Sequence, residues 1–168
     1  LSPRQFVLDI AGGTGRQAIP LAQDGRGHKV ISIDISEEML HSALKKAKES
    51  KLLGKISFIL ADATSLPFLD NSFNAVTCCG SLHHLPKPKE TVKEVGRVLI
   101  KGGHWFSYDP NRSPARFIFD LVMKINKLYD EKAASDKLLN KNDLNLWCKK
   151  AQIKVNIQYS TYLLPHII

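Results

Sequence analysis

The residues best suited to chemistry begin with a glycine cluster. Gly12-Gly13-Thr14-Gly15 follows directly on the apolar run Phe6-Val7-Leu8-Asp9-Ile10-Ala11. Closely spaced glycines let backbone N–H groups approach a ligand, and the N-terminus of a following helix adds partial positive charge. Gly13-Thr14-Gly15-Arg16-Gln17-Ala18 matches G-x-G-x-x-[G/A], the loop that receives a nucleoside-bearing cofactor. Asp34 lies nineteen residues past Gly15, where a carboxylate can accept two hydrogen bonds from a ribose diol. Asp62, with the Ala63 backbone, offers an acceptor and a donor suited to an adenine edge. Ile35 and Met39 could sandwich the ring. His83-His84 supplies imidazoles that titrate near neutral pH, and His84 is the candidate general base. Each residue also has a plain structural reading: a tight glycine turn, a cap at Asp34, an Asx-turn at Asp62, a packing imidazole at His84.

These residues need elements to bring them together. Phe6–Ile10 reads as a buried strand. Thr14–Asp24 reads as a helix, with Pro20 a kink candidate. Lys29–Asp34 is a second strand. A helix capped by Ser36 follows, with Met39, Leu40, Ala43, Leu44 and Ala47 as its buried stripe and Gly54 as its stop. Ile56–Ala61 and Phe73–Cys79 read as strands three and four, Lys89–Leu99 as a helix, Gly102-Gly103 as a turn and Trp105–Tyr108 as strand five. A helix over 113–129, another over 143–151 and a sixth strand over 153–162 complete the pattern. Alternating strands and helices predict an α/β fold with a doubly wound, mainly parallel sheet, Rossmann-like. Right-handed crossovers place all strand C-termini on one edge. Gly13, Asp34, Asp62, Gly80 and Asp109 should therefore converge there.

In this order and strand context the chain resembles the class I S-adenosylmethionine-dependent methyltransferases, in the small-molecule branch that includes ubiquinone/menaquinone-type enzymes. The matching stretches are Val7–Gly15, Ile33-Asp34-Ile35-Ser36, Asp62-Ala63 with Leu66-Pro67-Phe68, Phe73-Asn74-Ala75-Val76 with His83-His84-Leu85, and Arg97–Gly103. The resemblance implies S-adenosyl-L-methionine as cofactor and methyl transfer to a small-molecule acceptor by in-line displacement. It implies that Asp9 orients the glycine loop and that the backbone of Ala11, Gly12, Gly13 and Gly15 approaches the methionine moiety. It further implies that Asp34 holds the ribose, Asp62 and Ala63 the adenine, and that Cys79, Gly80 and Ser81 border the sulfonium.

The sequence departs from the family pattern in three places. Ala11 replaces the first glycine, which matters only if that position needs a positive φ. Asn74 stands where an Asp is common. The family's seventh strand and N-terminal helices have no counterpart here, so the chain reads as one domain over 1–168 that is a fragment of a longer protein. A second copy completing the sheet is one way to cover the edges this leaves.

Composition narrows the alternatives. With 168 residues, 43% hydrophobic and 24% charged, the chain suits one globular domain. Its net charge of +8 is spread along the sequence without basic–aromatic interleaving, which disfavours nucleic acid as a partner. No apolar run approaches a membrane span, and the first residues do not read as a signal peptide. Cys78, Cys79 and Cys148 have no metal spacing and fit a reducing, cytoplasmic setting, so no metal is expected. The apolar stripe Phe117, Ile118, Leu121, Val122 and Ile125 is compatible with an apolar acceptor. Two other readings stay open: an NAD-binding Rossmann oxidoreductase, for which no Tyr-x-x-x-Lys is present, and a non-catalytic cofactor-binding or interaction protein.

Overall fold

The computed structural model describes residues 4–109 and 139–155. Five strands form one parallel sheet in the order β3-β2-β1-β4-β5: β1 (Phe6–Ile10), β2 (Lys29–Asp34), β3 (Ile56–Leu60), β4 (Phe73–Cys79) and β5 (Leu99–Tyr108). The apolar residues of β1 make it the centre of the molecule. Val7, Leu8 and Ile10 are all 0% exposed, as a strand covered on both faces requires. One side of the sheet packs Val7, Ala18, Ala22, Val30, Ala47 and Ala75 together. The other packs Leu8, Ile10, Ile33, Val76, Leu82, Val92 and Val95.

The helices are α1 (Ala18–Gln23), α2 (Glu37–Glu49), α3 (Pro88–Val98) and α4 (Lys141–Lys150), with a short 3-10 turn over Leu82–His84. Several boundaries differ from the sequence reading. Helix α1 starts at Ala18, because residues 14–17 stay in the glycine turn. Pro20 is thus in the first helical turn, where a missing N–H is best tolerated. Helix α2 ends at Glu49 rather than running to Gly54. Lys51 takes the left-handed conformation, φ 57°. Its amide bonds Lys48 O, and the Leu52 amide bonds Ala47 O, a Schellman closure without glycine. Ser36 caps α2 as expected, its Oγ accepting from the Met39 amide. Met39 and Leu44, expected in the buried stripe, are each 43% exposed.

Gly102-Gly103 is not a turn between elements but an irregularity inside β5. Phe73 pairs with Leu99 and Ala75 with His104, so two steps along β4 face five along β5. A bulge of this kind re-aims the strand that follows it. The expected helix over 113–129 and most of the strand expected over 153–162 lie outside the described residues. So does any pairing that would bear on a seventh strand. Residues 153–155 are described and are not strand.

Candidate active site

A doubly wound sheet opens a crevice where the chain reverses its direction of travel. Here that is between β1 and β4, which pair directly through Val7–Asp9 and Ala75–Thr77. Asp34 ends β2, and the loops after β1, β3, β4 and β5 carry Gly13, Asp62, Gly80 and Asp109 respectively. All five strands run parallel, so these residues share one edge as expected.

Asp9 lies beneath this crevice and is 1% exposed. Its Oδ1 accepts from Thr77 Oγ1 of β4 at 2.9 Å and its Oδ2 from Ser32 Oγ of β2 at 3.2 Å. Burial pushes its carboxyl up to about 6, against the opposing effect of the Thr77 and Ser32 hydroxyls and the Ala18 amide. One side chain thus ties the three central strands to the start of α1. Gly12 sits directly against this carboxylate. A Cβ at Gly12 would collide with Ser32 Oγ and lie 2.5 Å from Asp9 Oδ2, so only glycine fits.

The loop beyond Asp9 is held by its own backbone. Gly12 N donates to Ile33 O at 3.0 Å, and Gly15 N to Gly12 O at 3.0 Å. Gly13 N donates to Asp34 Oδ2 at 2.9 Å, while Ser36 N donates to Asp34 Oδ1 at 2.9 Å. Both oxygens of Asp34 are thereby fixed at the sheet edge, and each keeps acceptor capacity for a ligand hydroxyl. Gly13 has φ 53° and nothing within 4 Å of where a side chain would begin, so the face beside Asp34 is open. Ala11 has φ 52°. The position does demand a left-handed backbone, and alanine there carries strain of about 1–2 kcal/mol.

Next to Asp34, Ile35 is 76% and Met39 43% exposed. They offer apolar surface at the mouth of the site, as a ring-binding wall requires. Asp62 forms an Asx-turn. Its Oδ1 accepts from Thr64 N at 2.8 Å and Thr64 Oγ1 at 2.9 Å, and the Thr64 amide holds its carboxyl below the usual range. Both bonds fall on one oxygen, which leaves Oδ2 able to accept from a ligand amine. Ala63 is buried, 7% exposed.

The loop after β3 is pinned by residues to which the sequence reading gave no role. Glu94 Oε2 accepts from Leu66 N at 2.8 Å. Arg97 donates to Leu66 O at 3.0 Å and Phe68 O at 2.7 Å, and pairs with Glu94 and Asp70. The Leu66-Pro67-Phe68 turn is therefore fixed from α3. Asn74, in place of the common Asp, accepts from Phe6 N at 2.9 Å, so the hydrogen bond survives without the charge.

On the β4 side, Ser81 Oγ donates to Cys79 O at 3.2 Å and reaches Ala11 O at 3.4 Å. This joins the two walls of the crevice. Gly80 has φ 67° and donates to Tyr108 O at 2.7 Å. Burial pushes the Cys79 thiol up to about 11 and raises the Cys78 thiol well above its usual value. All three cysteines are free thiols, and these two belong to strand-end packing rather than nucleophilic chemistry.

The histidine pair is sorted by tertiary structure. His83 Nδ1 lies 2.7 Å from Asp109 Oδ1, with both side chains 6% exposed. The His83 amide donates to the same oxygen, and Ser107 Oγ donates to Asp109 Oδ2 at 2.7 Å. His84 is in ring contact with His83, their centroids 3.9 Å apart. The oriented carboxylate–imidazole pair is on His83, which the sequence ranked second. Its missing signal was Asp109, distant in sequence and adjacent only once β4 and β5 pair.

Among the described residues no His/Cys/Asp/Glu group could hold a metal ion, and no helix is long and apolar enough to cross a membrane. The donor set fits S-adenosylmethionine: a fixed carboxylate for a diol, a second carboxylate one strand further for an amine, an apolar wall between them, and an open glycine loop.

Comparison with known proteins agrees with this arrangement. Residues 8–107 match the family model described as a methyltransferase domain. A demethylmenaquinone methyltransferase of Bacteroides fragilis is 36% identical over 124 residues, covering 72% of this chain and 51% of that protein. A ubiquinone/menaquinone biosynthesis C-methyltransferase of Roseobacter denitrificans is 36% identical over 118 residues, covering 66% of this chain and 47% of its own length. The chain thus spans about half the length of these curated relatives. The crystal structure of a putative methyltransferase from Bacillus halodurans superposes with a TM-score of 0.72 at 29% identity, covering 90% of this chain and 63% of that one.

Proposed function

The chain belongs to the methyltransferase domain family, and from that premise we propose that it transfers the methyl group of S-adenosylmethionine to a small apolar acceptor of the quinol class. The observation that carries the cofactor half of this reading is the open contact between the Gly13 amide and the Asp34 carboxylate, with Asp62 just past the neighbouring strand. The acceptor half rests on the relatives, whose names specify demethylmenaquinone and ubiquinone/menaquinone biosynthesis. The free thiols, those of Cys78 and Cys148 buried, suit a reducing, cytoplasmic setting.

When bound, the cofactor supplies a methyl carbon already activated by its sulfonium. The protein's task is then chiefly positioning, which can contribute about 7–11 kcal/mol. Asp34 and Asp62 fix the nucleoside, Asp9 holds the loop and strands in register, and the Ala11–Ser81 contact sets the spacing of the crevice walls. For transfer to a quinol ring carbon, as the C-methyltransferase relative's name specifies, loss of a hydroxyl proton makes that carbon electron-rich enough to take the methyl group. The carbon's own proton then leaves to restore the ring. We assign the hydroxyl proton to the His83 imidazole, which Asp109 orients through Nδ1.

Titration calorimetry with S-adenosylhomocysteine and with NAD tests the cofactor. The first should bind, and Asp34→Ala should weaken it by about 10- to 100-fold, since a carboxylate–diol pair contributes about 1.5–3 kcal/mol. Preferential NAD binding overturns the reading. Turnover with a reduced demethylmenaquinone analogue tests the acceptor and the base together. His83→Gln should lower kcat about 10²- to 10⁴-fold with little change in cofactor affinity, whereas His84→Gln should cost far less. The reverse ranking returns the base to His84.

A further inference from the structure

Asp109 lies one residue past β5, beyond the last residue pair of the β4–β5 ladder, Cys79 with Tyr108. Its Oδ1 meets the His83 ring Nδ1 at 2.7 Å and the His83 amide at 3.2 Å. An ionised carboxylate only accepts, so Nδ1 carries the proton of the shorter bond. Both contacts fall on one oxygen. The last torsion of an aspartate is broad, so a carboxylate held at one oxygen can still turn, and the imidazole bonded to it turns as well.

Ser107 removes that freedom. Its Oγ lies 2.7 Å from Asp109 Oδ2 and, among the described residues, is the donor to that oxygen. The same Oγ lies 2.7 Å from Cys78 O on the facing strand. A hydroxyl has one proton to give. The charged carboxylate attracts it more strongly than the neutral carbonyl, which takes the lesser share of a three-centre bond. The second anchor belongs to the core, since Cys78 is 0% exposed. The His83 and Asp109 side chains are each 6% exposed, so water has little access to replace a lost donor. Register brings the serine here. Phe73 faces Leu99 and Cys78 faces Ser107, so an unbroken ladder would have put His104 opposite Cys78. The bulge at Gly102-Gly103 makes the difference.

We propose that Ser107 is a positioning residue for methyl transfer. Its hydroxyl fixes the plane of the Asp109 carboxylate, and the carboxylate fixes the direction of the His83 ring toward the acceptor. The inference rests on His83 as the base. Ser107 acts through Asp109 and needs no contact with acceptor or cofactor. Its loss should therefore appear in kcat and leave KM and cofactor affinity alone.

The test pairs kinetics with a resonance that needs no acceptor. The His83 Nδ1 proton should give a downfield imidazole N–H signal in proton NMR, identified by its loss in His83→Gln. Ser107→Ala should broaden or remove that signal as the loosened pair exchanges with water, and Ser107→Thr should retain it. With the reduced demethylmenaquinone analogue, Ser107→Ala should lower kcat about 10-fold, the worth of one hydrogen bond to a charged group. KM and S-adenosylhomocysteine affinity should stay within about twofold, because the groups that bind are untouched. Ser107→Thr should recover most of the kcat. A signal that survives Ser107→Ala, or a kcat loss that threonine does not rescue, overturns the inference while His83 stands as the base. If His83→Gln leaves kcat at the wild-type value, the base assignment fails and the inference falls with it.

Discussion

Asp9 shows how much one buried residue can organise. It receives hydroxyls from β2 and β4, favours the N-terminal end of α1, and forces glycine at position 12. Its cost is a carboxyl raised from 3.8 to about 6. The folded pKa lies above the unfolded one, so the folded chain holds the proton more tightly. That contribution is fully present below about pH 3.8 and is lost as pH rises through about 6. The shift corresponds to on the order of 3 kcal/mol. Asp9→Asn should remove this dependence. Its stability relative to wild type, from denaturant titrations, should therefore improve by about that amount between pH 4 and pH 7. Parallel pH profiles for the two proteins would show that Asp9 is not the titrating group. The glycine pattern around Asp9 was legible in the sequence, because close backbone approach needs glycine wherever it occurs. The strain at Ala11 was legible only as a condition, since φ is a tertiary outcome there.

At the scale of elements, the strands were the legible part and the helix ends were not. Burial on both faces writes a continuous apolar run into β1, β2 and β4, whereas a helix can stop on backbone geometry alone. Lys51 and Gln152, both with φ 57°, close α2 and α4 where a sequence reading looks for glycine. Glycine is instead used at Gly96, where α3 meets the end of α4. A Cβ there would lie 2.5 Å from Ala151 O and 2.8 Å from Ala151 Cβ. Gly96→Val should push α4 off α3 at a cost of about 1–3 kcal/mol, as overpacking does. Cys148 on α4 is 2% exposed and reports the displacement. Its reaction with a thiol reagent should accelerate in the variant, and an unchanged rate would mean that the helices separate no further. The bulge in β5 belongs to this scale too. It absorbs Gly102-Gly103 into the strand and carries Tyr108 and Asp109 to the crevice.

Across the whole molecule, the order β3-β2-β1-β4-β5 is what turns scattered residues into a site. On the proposed function, Asp34 at the end of β2 and Asp62 just past β3 would hold the nucleoside, and the crevice beside β4 would receive the reactive end of the cofactor. The preference for S-adenosylmethionine over a dinucleotide was argued from Asp62 and the motif order, and the family match over residues 8–107 supports it. Sequence alone determined the parallel α/β class and placed Gly13, Asp34 and Asp62 at or just past strand ends, and the resemblance to a methyltransferase family implied the cofactor class. The fold class and the placement follow from short-range patterns: apolar runs, glycine spacing and acids near strand ends. Tertiary structure alone decided that His83 rather than His84 meets Asp109, that Arg97 and Glu94 pin the Leu66-Pro67-Phe68 turn, and that Ser107 reaches Cys78 O. Each of those contacts joins residues from different elements, and a contact made by strand pairing or helix packing leaves no periodicity in the chain to read.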